Sequence, residues 1–150
     1  MAGYMKKLQG YVYDGANTAG AAMENGVFVE ITTDGVKPVS AAKTGMVLRV
    51  VEKTTLWGRN AVVLDVVNHG DDEVFFLENE WDINDAEAYD TAKYTCKVGD
   101  YVRMHRCLDG EQLIMTVSDT VYAALAVGDQ ANIAANGTIA KKTTGQGGGG

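Results

Sequence analysis

Short runs of alternating apolar and polar residues, bounded by glycines, dominate the chain from residue 25 onward. In three segments a glycine opens an alternating strand and a second glycine turns the chain back. These segments are residues 25–39, 98–114 and 127–141, with Asp34-Gly35, Asp109-Gly110 and Asn136-Gly137 at their turns. Asp-Gly and Asn-Gly favour the positive φ angles of tight hairpin turns. The pattern therefore predicts three β-hairpins.

Two strands dense in β-branched residues lie between the hairpins, at residues 46–52 and 61–68, and a third candidate lies at residues 73–77. The near-continuous apolar runs of the first two predict strands that are buried on both faces or central in a sheet. We expect the three to form a core meander. Short helices are predicted near residues 85–88 and 119–125. The fold class is then mainly β, as one small β-barrel or β-sandwich built of hairpins.

The two ends of the chain differ in composition from the β domain predicted over residues 25–142. Residues 1–24 mix Gly and Ala with apolar side chains but show no clear period, which predicts an extended N-terminal arm. Residues 143–150 read TTGQGGGG, which is typical of a flexible polar tail. The length of 150 residues suits one domain with such extensions.

The charge balance narrows the classes of partner. The chain has 13 Lys plus Arg against 20 Asp plus Glu, a net charge of −7, and its cations are scattered along the sequence. Nucleic-acid binding needs clustered positive charge, so we expect none. No run of about 18 apolar residues or signal-peptide pattern is present, so we expect no membrane association and use in the compartment of synthesis. A neutral or basic protein surface is the favoured partner.

Candidate catalytic groups are few. The sequence contains no GxSxG, HExxH, P-loop or GxGxxG motif. His105 and Cys107 lie two residues apart, so they could share one face of a strand as a Cys-His pair does, but core packing is the simpler interpretation. Cys96 and Cys107 lack the partners and spacing of a structural zinc site. We therefore predict no enzymatic activity, cofactor or metal.

Two ligand sites remain open as alternatives. The acidic segment 78–97 could bind calcium, although it lacks the spacing and the glycine of an EF-hand loop, and a solvated acidic loop is the simpler interpretation. Its candidate ligands are Asp82, Asn84, Asp85 and Glu87. Aromatic side chains could instead line a sugar platform, which makes a carbohydrate- or host-surface-binding β module the alternative function. These aromatic residues are Trp57, Trp81, Tyr89 and Tyr94.

Apolar residues outside the predicted core are candidates for contact with a partner protein. A tryptophan in a turn such as TLWGRN more often fills a protein interface or anchors a loop than binds a small ligand. The N-terminal arm adds further apolar side chains that could become ordered on a partner. The predicted partner-binding residues are Tyr4, Met5, Leu8, Tyr11, Tyr13, Trp57 and Arg59.

The glycine-aspartate segments at residues 98–102 and 127–139, in a short Gly/Ala-rich β chain with an apolar arm, resemble tailed-bacteriophage head proteins. The similar families are the capsid decoration, or cement, proteins and the related head-fibre proteins. The resemblance implies a structural virion protein, made in the host cytoplasm, that binds the major capsid protein outside the assembled shell and stabilises contacts between capsomers. It also implies a homo-oligomer, often a trimer. The acidic insertion at residues 78–97 and the absence of a proline-rich arm depart from the best-known cement proteins.

Overall fold

The computed structural model describes residues 3–6, 11–13, 17–56, 58–77 and 95–142. Within these ranges the chain forms thirteen strands, one α-helix and a short 3-10 turn at Ala135–Gly137. The strands are β1 (Gly3–Lys6), β2 (Tyr11–Tyr13), β3 (Met23–Glu24), β4 (Phe28–Thr32), β5 (Gly35–Pro38), β6 (Lys43–Leu56), β7 (Arg59–Asn68), β8 (Phe75–Leu77), β9 (Thr95–Cys96), β10 (Met104–Arg106), β11 (Gln112–Thr116), β12 (Gln130–Ile133) and β13 (Ile139–Lys141). The helix, α1, is Asp119–Ala124.

Two antiparallel sheets stack as a sandwich. The order of strands is β1-β11-β7-β6-β12-β13 in the six-stranded sheet and β2-β10-β8-β4-β5 in the five-stranded sheet. Strands β3 and β9 form a separate two-stranded sheet. Neither large sheet closes into a barrel. The predicted mainly β class is therefore confirmed, and of the two predicted architectures the chain adopts the sandwich.

The inner core lies between the two sheets. Phe28 and Phe76 of the five-stranded sheet pack edge to face, with ring centroids 5.2 Å apart. They join Leu48, Leu64 and Met115 of the six-stranded sheet in one cluster of buried side chains. Burial of each such side chain contributes about 1.5–3 kcal/mol, so the packing of this cluster stabilises the contact between the two sheets.

The five-stranded sheet is covered on its other face as well. Val29, Phe75 and Leu77 alternate with the inner-core residues and belong to a second buried cluster. That cluster is completed by residues of the connecting segments, among them Ala19 and Val102. Strand β8 is therefore buried on both faces, which explains why its sequence is continuously apolar.

The first and third predicted hairpins are confirmed, whereas the second is wrong. Strands β4 and β5 pair across the turn Thr33-Asp34, directly before Gly35, and β12 pairs with β13 across Asn136-Gly137. Strands β10 and β11 belong to different sheets, and residues 107–111 carry the chain from one sheet to the other. The Asp109-Gly110 turn therefore begins a strand in the opposite sheet and closes no hairpin.

The predicted meander is correct for two of its three strands. Strands β6 and β7 pair at the centre of the six-stranded sheet, as expected. Burial in β6 alternates, with Met46, Leu48 and Val50 buried and Arg49 and Val51 exposed, so this strand is central but covered mainly on one face. Strand β8 does not continue the meander, because it lies in the other sheet between β10 and β4.

Strands β1 and β2 fall within residues 1–24, where the sequence predicts an arm. Strand β1 pairs with β11 at the edge of the six-stranded sheet, and β2 pairs with β10 at the edge of the five-stranded sheet. An isolated bridge between Thr18 and Tyr101 continues the same antiparallel direction. The N-terminal segment from residue 3 to residue 18 thus pairs, in three places, antiparallel to residues 101–115, and these pairings extend over both sheets.

Helix α1 confirms the predicted helix at residues 119–125. Ser118 caps it, and its hydroxyl accepts the Val121 N–H at 3.2 Å. The helical turn predicted at residues 85–88 and the predicted tail at residues 143–150 lie outside the described residues.

Candidate partner-binding surface

Within the described ranges, one four-residue turn occurs three times, at residues 97–100, 108–111 and 126–129, and we call these the glycine-acid turns. The third residue is glycine with positive φ, at Gly99, Gly110 and Gly128. The fourth residue is acidic, and its carboxylate accepts the N–H of the first residue at 2.9, 2.6 and 2.9 Å respectively. Its own N–H donates to the first residue's carbonyl at 3.0, 3.1 and 3.0 Å. Each turn is thus closed by both main chain and side chain.

Each glycine-acid turn binds one residue of a neighbouring segment through two main-chain hydrogen bonds. The glycine N–H donates to that residue's carbonyl, and the acidic residue's carbonyl accepts its N–H, all at 2.8–2.9 Å. The bound residues are Ala19, Val66 and Val50, in the order of the turns. Gly26 and Val27 hold Leu77 in the same way, without an acidic residue. Each turn therefore fixes the position of its own segment relative to the segment that contains the bound residue.

Two of the glycine-acid turns hold valines in solvent. The second residue is Val98 in the first turn and Val127 in the third, and these side chains are 68% and 63% exposed. Tyr101 directly follows the first turn and is 72% exposed. Large apolar side chains at rigid turns are suited to burial against a protein partner. We call Val98 and Tyr101 the Val98–Tyr101 tip.

The predicted N-terminal contact residues lie on one side of the sandwich. Tyr4 and Met5 belong to β1, and Tyr11 and Tyr13 belong to β2. These two strands pair with β11 and β10, which are consecutive in the chain, so both sheets present this segment at the same edge. Leu8 lies outside the described residues.

Arg59 lies at the start of β7. Its Nη1 is 3.1 Å from Glu24 Oε2, an ion pair that joins β7 to the two-stranded sheet. Arg59 also lines a shallow cleft of about 570 Å³ together with Asn60 and Asp119, whose side chains are hydrogen-bonded at 2.8 Å. Because both ions of the pair are partly exposed, its contribution to stability is small. Trp57, the neighbouring candidate, lies outside the described residues.

The candidate Cys-His pair lies in the packed interior. Cys107 belongs to the inner core, and His105 is 1% exposed. Burial, followed by the nearby charge of Glu111, raises the pKa of the Cys107 thiol to about 12. A thiol with such a pKa is protonated at neutral pH, whereas a nucleophilic cysteine needs a lowered pKa. This environment is that of a structural cysteine.

The other ligand hypotheses concern residues that the structure does not describe. The candidate calcium ligands at residues 82–87 fall in this part of the chain, as do the aromatic residues Trp81, Tyr89 and Tyr94. Among the described residues, no group of three or more His, Cys, Asp or Glu side chains is arranged to hold a metal ion. Across the described ranges, no helix has the length and apolar character needed to cross a membrane.

Comparison with known proteins identifies no related protein. No protein-family profile matches the chain, and no curated protein or solved structure shows significant similarity to it. The function is therefore inferred from the fold, the turns, the exposed side chains and the charge.

Proposed function

We propose that this protein is a structural protein of a bacteriophage virion that binds the exterior of an assembled capsid and stabilises contacts between capsomers. The observation that carries the proposal is the pair of glycine-acid turns that hold Val98 and Val127 in solvent, with the exposed Tyr101 directly after the first turn. Burial of a valine-sized side chain contributes about 1.5–3 kcal/mol, so a partner surface that covers these residues gains substantial binding energy. The capsid is proposed as the partner because the same turns carry the resemblance to decoration proteins.

The glycine-acid turns are already ordered by internal hydrogen bonds, which favours high affinity for a partner. The turn at residues 97–100 is closed by the Asp100 carboxylate and bound to Ala19 at both its glycine and its acidic residue. A tip that is already ordered loses little conformational entropy on binding. Most of the free energy gained by burying the apolar side chains of the Val98–Tyr101 tip is therefore available for binding.

The net charge of −7 supports the same function. Like charge keeps free copies apart in solution and favours a neutral or basic partner surface. Trimers at local symmetry axes of the shell, as the resemblance implies, would place several tips on the capsid at once. Simultaneous contacts of this kind raise the apparent affinity well above that of one tip.

Co-sedimentation with expanded, DNA-free phage heads tests the proposal. We expect saturable binding of the full chain at a fixed ratio per capsomer, with the free oligomer measured by light scattering. The double variant Val98→Ser, Tyr101→Ser should bind at least tenfold more weakly, because two exposed anchors are lost. The matched control is Val67→Ser, since Val67 is also an exposed apolar residue, 43% exposed on β7, and lies outside the turns.

The outcomes separate the two parts of the proposal. Absence of saturable binding to every head tried overturns the capsid assignment. Saturable binding that the double variant leaves unchanged retains the capsid assignment and removes the Val98–Tyr101 tip from the interface. Equal weakening by Val67→Ser assigns the effect to general loss of surface apolarity.

A further inference from the structure

Strands β1 and β2 are the outermost strands of their sheets on one side of the sandwich. Among the described residues, each has a single neighbouring strand, β11 for β1 and β10 for β2. Without them, one sheet would keep five strands and the other four, in an unbroken order. We call the side of β10 and β11 that they cover the acceptor edge.

An uncovered acceptor edge would be costly. Met104 and His105 in β10 and Leu113 and Met115 in β11 are at most 1% exposed. Removing the outer strands would bring water to this apolar region and leave a row of backbone N–H and C=O groups without partners. Pairing of the acceptor edge with an extended segment is therefore strongly favoured.

We propose that the acceptor edge can bind β1 and β2 of a second copy of this chain in place of its own, so that neighbouring copies exchange these strands. Backbone hydrogen bonds between antiparallel strands are the same within one chain and between two chains. The register is also the same, since the sequence of both strands is unchanged. Exchange of an identical element therefore replaces each contact by its equivalent and costs little beyond association.

The same exchange is hindered at the β5 edge of the five-stranded sheet. Strands β4 and β5 are joined by the two-residue turn Thr33-Asp34, so β5 cannot leave β4 for another copy without opening that turn. The partner is thus specified as a second copy that offers residues 3–6 and 11–13. The inference does not depend on capsid binding, although exchange would also link neighbouring copies on a shell.

A disulfide trap between two full-length variants tests strand exchange. Lys6 of β1 lies directly opposite Gln112 of β11. Antiparallel partners have Cα atoms about 4.5–5.5 Å apart, within the range of a disulfide. One variant carries Lys6→Cys and the other Gln112→Cys, and the native Cys96 and Cys107 are both buried, which keeps background low. Mixed, incubated and oxidised, the two should form a covalent heterodimer linked between positions 6 and 112, identified by mass spectrometry.

The matched control is a mixture of Glu30→Cys and Lys37→Cys chains. These residues face each other across the β4–β5 hairpin, which cannot exchange. A 6–112 heterodimer yield at least fivefold above the control yield supports the inference, and a yield at the control level overturns it. The double variant Lys6→Cys, Gln112→Cys reports on the pairing itself, and failure to form any 6–112 disulfide in that chain overturns the inference at its first step.

Discussion

Two glycines with similar backbone angles should differ widely in their tolerance of alanine. Gly128 has φ +94° and Gly137 has φ +76°, so alanine at either position is forced into the left-handed region. That conformation costs about 1–2 kcal/mol for a residue with a Cβ. Nothing lies within 4 Å of a Cβ built on Gly128, so this cost is the whole penalty for Gly128→Ala.

Gly137→Ala carries a second penalty. A Cβ at this position overlaps the Phe28 carbonyl oxygen and the Val27 side chain. The Phe28 carbonyl cannot easily move, because it accepts the Val39 N–H at 3.1 Å and its ring is fully buried. Overpacking of this kind costs about 1–3 kcal/mol, which brings the total to about 2–5 kcal/mol when added to the backbone cost.

Urea denaturation followed by circular dichroism measures the difference. With an m-value of about 2 kcal/mol/M, Gly128→Ala should lower the midpoint by about 0.5–1 M and Gly137→Ala by about 1–2.5 M. The m-value should be unchanged in both, which would show that each variant still unfolds from the same compact state. Equal midpoints, or a larger loss for Gly128→Ala, would refute the argument that close packing against Phe28 adds to the backbone cost.

Two further predictions concern titration and thiol reactivity. The pKa of Asp109 lies below its ordinary 3.8, chiefly because its carboxylate is hydrogen-bonded to the His69 ring, Nδ1 to Oδ1 at 2.7 Å. The stabilisation from this lowered pKa is present above about pH 4 and is lost as the pH falls through the folded-state value. Because His69→Ala removes the side-chain hydrogen bond, it should return the Asp109 pKa toward 3.8 in a carboxyl NMR titration. Because Cys107 is buried with a pKa of about 12, its reaction with a disulfide reagent at about pH 8 should be far slower in folded than in unfolded protein. Faster reaction in the folded state would instead indicate an activated thiolate.

The glycines that open strands can be predicted from the local sequence. The segment to which each turn binds cannot be predicted in this way. The alternating pattern marks Gly26, Gly99 and Gly128 as strand-opening positions, and each does bind a neighbouring segment. The same pattern predicts a hairpin at Gly110, because Asp-Gly is the strongest signal for such a turn. The Glu111 carboxylate closes this turn and Val66 is bound to it, and the chain then crosses to the other sheet. Gly110-Glu111 is part of the local sequence, whereas the contact with Val66 is not visible as a local pattern.

The position of β8 escapes sequence reasoning for a related cause. A near-continuous apolar run predicts a strand that is buried on both faces or central in a sheet, and β6 and β7 are central, with burial at alternate residues. In β8 the same rule holds, since Phe75 and Leu77 face one cluster and Phe76 the other. The covering of its outer face by distant segments, including Val102, depends on tertiary structure that local periodicity does not encode. The predicted contact residue Trp57 and the acidic segment 78–94 lie outside the described residues.

The pairing of β1 with β11 sets a constraint on the order of events during synthesis. Gly3 and Met115 are opposite each other, at the two ends of a long loop of chain. At the usual rate of about 5–20 residues per second, β1 waits roughly 5–20 s before its partner strand has been made. Contacts of such long range also slow folding once the chain is complete. For that interval the nascent chain carries β1 and β2 segments whose partner strands have not yet been made.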